Sequence, residues 1–325
     1  MKRRRLLIAL AGSPLCALPA LLHAQTVPVV GYLDSASSAT YSFNAPAFID
    51  ALREAGYFVG QNVAIEYRGA NNDYSRLPGL ARELVGRRVA VIAAGDIASA
   101  RAAQAATTTI PIVFTVSSDP VSSGLVESLS RPTGNATGVT LYSSTLMVKR
   151  LELLRDIAPD ERTVALLANP DNPDYAGDVK AAREAVPGLG REMIVFDAGS
   201  PQAIDGAFDA IVAKRAGAVL IASDPMFLGQ RDRLAALALR YSLPVVAWAR
   251  EFADAGILLT YGTSMPWMYH AAGVYVGRIL KGAKPSDLPV IQPTHFDLVI
   301  NLKAARGLGV DVPYALLVRA DDVIR

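Results

Sequence analysis

Short polar groups fall where an apolar run gives way to an amphipathic one: Asp34-Ser35, Gly95-Asp96, Ser117-Ser118-Asp119, Asn169, Ser223-Asp224, Arg250-Glu251 and Tyr261-Gly262. Backbone N–H groups at a helix start are unpaired and sit in a field that favours negative charge, so such junctions hold anions. Carboxylates at the same places hold cations through charge-assisted hydrogen bonds. Together the two chemistries suit a small zwitterion, its carboxylate on N–H and Ser donors and its ammonium on Asp or Glu. The candidate ligand contacts are therefore Ser35, Asp96, Ser117, Ser118, Asp119, Asn169, Asp224, Glu251 and Tyr261. Tyr32, Phe114, Tyr142 and Phe227 are candidates to pack on the ligand's apolar part, although core packing is the simpler role for each. Asp, Ser and Asn are also ordinary helix caps. Asp119 before Pro120 and Asp224 before Pro225 read as caps first, so the binding reading rests on several junctions sharing one edge.

Motifs of covalent or metal chemistry are missing from the sequence. There is no phosphate-cradling GxxxxGK[ST], and no GxGxxG opens a helix. Gly262-Thr263-Ser264-Met265-Pro266 begins like a nucleophile elbow but lacks the second glycine. Beyond residue 24 the only histidines are His270 and His295, without HExxH spacing, and there is no cysteine. No catalytic residue, metal site or cofactor is expected. The competing reading is an exported hydrolase or isomerase using Asp96, Asp224 and Glu251 as acid–base groups, and the lack of a nucleophile–base pair weighs against it.

The elements that would position these residues alternate. Strands are expected at 29–33, 63–67, 89–94 and 110–116, with helices at 43–55, 77–85 and 97–106, and Asp119-Pro120 opening another. A second series begins near Thr163. Strands at 164–168, 193–196, 218–222, 244–248 and 257–261 surround helices at 175–186, 202–214 and 231–241. A tail follows with a helix at 267–280, an extended stretch at 290–293 and a helix–strand unit. Continuous Val/Ile/Leu strands bounded by helices require a covered parallel sheet, so the fold class is α/β, in two similar doubly wound lobes. Each series starts with a strand that ends in a polar loop, at Asp34 and at Asn169.

The 325 residues, 51% hydrophobic and 19% charged, are enough for about two packed domains and exclude a disordered chain. The first 24 residues combine the basic cluster Lys2-Arg3-Arg4-Arg5 with an apolar stretch ending at Leu22-His23-Ala24. That is the layout of a cleaved secretory signal, broken by Pro14 and Pro19 and hence unsuited to a permanent span. Arg3-Arg4-Arg5 also permits twin-arginine export, and Cys16 sits after a poor lipobox. Setting the N-terminal cluster aside leaves Lys+Arg at 28 against 30 acids, which gives no electrostatic support for nucleic-acid binding. The expectation is an exported, periplasmic chain starting near Gln25.

Several stretches carry a resemblance in their order and spacing. They are Phe48 to Tyr57, Gly60 to Arg68, Ile110-Pro111-Ile112-Val113-Phe114 with Asp119-Pro120-Val121, and Gly134 to Val139. Arg250-Glu251-Phe252 with Gly256 and Tyr261-Gly262, and Ile279 to Gly282 with Pro285 and Leu288-Pro289, complete the set. The chain resembles the substrate-binding proteins of bacterial ABC transporters, in the TrpX-like group whose better-known members bind tryptophan, tyrosine or phenylalanine. The resemblance implies a type I periplasmic binding fold crossed three times by the chain. It implies one lobe from 25–140 plus about 263–295 and another from 141–262 plus about 296–325. It also implies a small-molecule ligand between the lobes, near the Ser35 loop, the loop after Gly95, Ser117–Asp119, Asp224 and the segment from Glu251 to Tyr261. The implied partner is an inner-membrane permease with its ATPase, served by a monomer. Where the group has threonine or a small residue after the glycine at 95, this chain has Asp96. A carboxylate there either favours a cationic group or only caps the helix at Ile97. Signalling to a membrane sensor in place of transport is a variant of the same reading. A DNA-binding regulator with a sensor fold would need a helix-turn-helix where the export signal stands.

Overall fold

Strands rich in Val, Ile and Leu bury both faces, and each must be roofed by helices on either side. The computed structural model describes residues 27–325 and shows this arrangement twice. The expected signal segment 1–24, with Cys16, lies outside the described residues. In chain order the first half is β1 (Val29–Asp34), α1 (Ser38–Glu54), β2 (Ala64–Gly69), α2 (Leu77–Gly86), β3 (Val91–Ala94), α3 (Ile97–Ala106), β4 (Ile112–Val116) and β5 (Ala136–Thr140). Next come α4 (Ser143–Ile157), β6 (Thr163–Ala168), α5 (Tyr175–Ala185), β7 (Glu192–Asp197), α6 (Ala203–Ala213) and β8 (Ala218–Ile221). They are followed by α7 (Pro225–Gly229), α8 (Arg231–Arg240), β9 (Val245–Ala247), α9 (Arg250–Ala255), β10 (Leu259–Gly262) and α10 (Met265–Leu280). β11 (Asp297–Asn301), α11 (Leu302–Leu308), α12 (Tyr314–Arg319) and β12 (Asp322–Ile324) close the chain.

The strands form two sheets, in the orders β2-β1-β3-β4-β5 and β12-β11-β10-β9-β8-β6-β7. The two series share one winding: β7-β6-β8-β9-β10 repeats β2-β1-β3-β4-β5, all parallel. The second sheet is not parallel throughout. β11 arrives without a helical crossover and pairs antiparallel with β10, Tyr261 opposite Leu298. Period-two alternation divides each strand between two cores. In the first sheet, Val30, Tyr32, Val91 and Ala93 face α1 and α10, whereas Leu33, Ile92, Ala94 and Phe114 face α2 and α3. In the second, Ala165 and Leu167 join the core of Ile204 and Phe208, while Val164 and Leu166 meet α4 and α5.

The chain passes between the sheets three times: from β5 to α4, from β10 to α10, and from the stretch around Ile291 to β11. α10 returns to cover the first sheet and lies directly on α1. Gly273 and Gly277 make that approach possible. A Cβ on Gly273 would stand 2.6 Å from the Phe48 carbonyl, and one on Gly277 would stand 2.6 Å from Ala55 Cβ. Before the third passage Ile291 pairs with β5, its N–H to Gly138 O at 2.8 Å and its O from Thr140 N at 3.0 Å. At the first passage Tyr142 has φ 51° and ψ 35°, the left-handed region that a bulky side chain seldom adopts.

The segment after Asp119-Pro120 departs from the expected helix. It makes one hydrogen-bonded turn, in which the Asp119 carboxylate accepts from Val121 N at 3.1 Å and Ser122 N at 3.3 Å. Gly124, at φ 74°, ends it. Five elements carried no expectation, β5, α4, α7, α9 and β11, and the tail has two helices, α11 and α12, where one was expected.

Candidate functional site

The C-terminal ends of the strands in both sheets meet around a narrow, partly open cavity of about 30 Å³. From the first sheet come Asp34, Gly95, Asp96, Thr115 and Ser117; from the second, Asp224, Pro225, Leu228 and Trp248. The start of α10 supplies Met265, Met268 and Tyr269. That volume holds one or two water-sized groups.

Asp34 ends β1 and is 3% exposed. Its Oδ1 accepts from Ala36 N at 2.8 Å. Its Oδ2 lies against Gly95, where a Cβ would come within 2.4 Å, so only glycine lets the carboxyl settle there. Asp96 is the N-cap of α3. Its Oδ1 accepts from Ser99 N at 2.8 Å, and its Oδ2 accepts from Ser35 N at 2.9 Å and Ser99 Oγ at 3.0 Å. The two carboxyls are neighbours. Burial, and then the Asp96 charge, raise the pKa of Asp34 far above the carboxylate range. Asp34 therefore keeps its proton at neutral pH.

Asp224, 1% exposed, caps α7 through Met226 N at 2.7 Å. Its other oxygen accepts from Asn172 Nδ2 at 2.8 Å, Asn169 Nδ2 at 3.0 Å and Tyr74 Oη at 3.0 Å. Burial pushes Asp224 up to about 6, and these donors hold it from rising further. Tyr74 belongs to the loop after β2, so this hydrogen bond ties the first sheet's edge to the second's. Burial, with the Asp224 and Asp96 charges behind it, raises the Tyr74 phenol and keeps it a donor. Across the cavity, Trp248 is 5% exposed and its Nε1–H has no partner.

The sequence candidates divide. Asp96, Ser117 and Asp224 line the cavity. Ser35 contributes its N–H to Asp96, and Asn169 supports Asp224 from behind. Ser118 and Asp119, with Ser117, border a separate opening of about 300 Å³, faced across the gap by Tyr142, Pro173, Asp174 and Gly177. Glu251 and Tyr261 stand apart from the cavity. α9 directs Glu251 into a different pocket with Asp50, Asp254, Ser264 and Asp297, where burial raises its pKa. Strand alternation turns the Tyr261 ring onto Phe296, centroids 6.1 Å apart, and its carbonyl accepts from the buried Arg150 Nε at 2.7 Å. Of the rings, Tyr32, Phe114 and Phe227 are core, with Tyr32 edge-on to Phe48. The sequence reading named Asp34 only beside Ser35 and overlooked Tyr74, Trp248 and the α10 start. Tyr74 had a signal, since it follows the polar run Asn71-Asn72-Asp73 at the end of a strand that shares this edge. The fold also gathers His295, Asp297 and Asp321, their ligand-type atoms within 4.8 Å, on the exposed surface near the third passage. No sequence spacing announced that cluster.

A profile of the family described as "ABC transporter substrate binding protein" matches residues 39–324. The chain belongs to that family. Among the relatives of this substrate-binding protein is one named "Tyrosine-binding protein" from Clostridioides difficile, 26% identical over 261 residues, covering 80% of this chain and 75% of the relative. An ABC domain from Streptococcus pneumonia, solved in complex with L-Trp, has a TM-score of 0.83 at 23% identity over 92% of this chain and all of that one. A ligand-free, open structure of a substrate binding protein with adhesive properties from Clostridium difficile gives 0.64 at 25% identity, over 92% and 99% of the two chains. No helix among the described residues is long and apolar enough to cross a membrane.

Proposed function

We propose that this protein captures a small amine-bearing solute between two hinged lobes and delivers it intact to an ABC permease. The lobes are 25–140 plus 263–295 and 141–262 plus 296–325. The observation that carries this reading is the narrow cavity to which each sheet brings buried carboxyls, Asp34 and Asp96 from one side and Asp224 from the other. Carboxyls held that way offer acceptor oxygens to a cationic group. The named ligands of two relatives, tyrosine and tryptophan, are amines and agree with it.

The cavity admits nothing larger than a few atoms as it stands, so a solute enters when the lobes part and is gripped when they close. A ligand touched by both lobes binds the closed state better, and that difference alone shifts the population. Tyr74–Asp224 closes with it. The closed form is the one the permease reads. Residues 1–24 direct export to the periplasm, where the protein acts as a monomer.

A thermal-shift screen of residues 25–325 against amino acids and amines tests the reading. A ligand at a hundred times its Kd stabilises by about 2.7 kcal/mol. The expected hit raises Tm in the native protein and loses at least tenfold in affinity in Asp224→Ala. A hit whose affinity is unchanged in both Asp96→Asn and Asp224→Ala contradicts the assignment of the cavity.

A further inference from the structure

We infer that the cavity selects a net cation, an ammonium whose other polar end is an uncharged acceptor, over the zwitterion of a free amino acid. The inference rests on the proposed cleft and names the charge class of its solute.

A zwitterion needs several donors for its carboxylate, and at this edge the protein's own carboxyls have taken the backbone N–H groups at the strand ends and helix starts. Asp96 occupies Ser99 N at the start of α3 as well as Ser35 N; Asp34 occupies Ala36 N; Asp224 occupies Met226 N at the start of α7. The helix-start positions that would receive an anion are thus filled from within. Among the described residues that line the cavity there is no Lys, Arg or His. A bound carboxylate would face Asp96 and Asp224 without a countercharge, in a place where burial strengthens the repulsion. An ammonium meets the opposite situation, because Asp96 and its neighbour Asp34 supply acceptor oxygens beside the cavity.

A second observation fixes the other end. Trp248, 95% buried on the cavity wall, has an indole N–H with no partner. An orphaned donor of that kind wants an acceptor. A neutral carbonyl or hydroxyl oxygen satisfies it without bringing a second charge into the acidic cavity. Binding of the cation also draws the proton from Asp34, since burial and the neighbouring Asp96 charge are what hold it there.

Isothermal titration at pH 6.5, below the α-amine pKa of an amide, on residues 25–325 tests the inference with three matched series: neutral amino acids, their C-terminal amides, and their N-acetyl derivatives. These carry net charges of 0, +1 and −1 on one skeleton. For whichever side chain fits, the amide is expected to bind at least tenfold more tightly than the amino acid, and the N-acetyl acid not at all. Asp96→Asn keeps a competent helix cap and is expected to reduce that preference at least threefold. Amino acids that bind as tightly as their amides, or N-acetyl acids that bind, overturn the charge inference. If either does so with small-angle scattering showing contraction, the cleft reading stands while this one falls. If no member of any series binds, both fall.

Discussion

Asp34 and Asp224 are ionisable groups made to do structural duty out of water, and both have consequences for stability. The Asp34 pKa rises from 3.8 to about 8 on folding, through burial first and the Asp96 charge second. Between those values the folded chain holds a proton that the unfolded chain has lost. Stability therefore falls as pH rises from about 4 to about 8, and the contribution is gone above that. Asp34→Asn cannot ionise, so calorimetry at pH 5 and pH 8 is expected to show a smaller fall in Tm than the native chain shows. An identical fall in both contradicts the buried-acid account. Asp224→Ala leaves Tyr74, Asn169 and Asn172 without their shared acceptor. Orphaning buried donors costs roughly 1–3 kcal/mol, so Tm should drop by roughly 2–10 °C in a chain of this size, whereas Tyr74→Phe, which removes one donor and strands none, should cost about 1 kcal/mol. At this level the sequence was legible only in part. Asp96 and Asp224 were visible as caps, and caps they are. That the same side chains also wall a cavity was not visible, because it depends on which strands lie adjacent. Glu251 and Tyr261 show the converse: one follows β9 and the other lies near the end of β10, yet a helix turn and a strand's alternation aim them elsewhere.

The pairing of α1 with α10 is the element-level feature that holds the first lobe together, and it depends on two missing side chains. Gly273→Ala would push a Cβ to 2.6 Å from the Phe48 carbonyl, a backbone atom that cannot swing aside. Overpacking of this kind costs about 1–3 kcal/mol. Gly79→Ala, in α2 with open space around it, is the matched control and should stabilise by up to about 1 kcal/mol. Urea titration of the two variants gives the comparison, and equal midpoints would contradict the close-packing account. The strong apolar runs, such as Val164 to Ala168, were readable as strands because nothing but a covered sheet tolerates them. β5 was not: Ala136-Thr137-Gly138-Val139-Thr140 is short and half polar, and Gly138 is needed because a Cβ there would lie 2.0 Å from the Phe114 carbonyl of β4. The antiparallel β11 was equally hidden, since strand direction follows from the route of the third passage and not from composition.

The two sheets share one winding and are joined by three passages of chain, which the proposed function makes the hinge; the first passage holds Tyr142 at φ 51°. A non-glycine residue in the left-handed region stores about 1–3 kcal/mol, and here it lies on the first passage between the sheets. The twofold repeat was legible from the two polar strand ends at Asp34 and Asn169. The contacts between the two sheets were not, since they join residues such as Tyr74 and Asp224, 150 residues apart. Opening can be observed directly, because the chain beyond residue 24 has no cysteine of its own. Ser122→Cys and Gly177→Cys place one spin label on each side of the opening beside the cavity, at exposed positions. Pulsed electron resonance on this pair should give a distribution with a long-distance population without solute, and ligand should shift it to the short distance in proportion to occupancy. A single distance, unchanged while calorimetry records binding, would contradict capture by closing lobes.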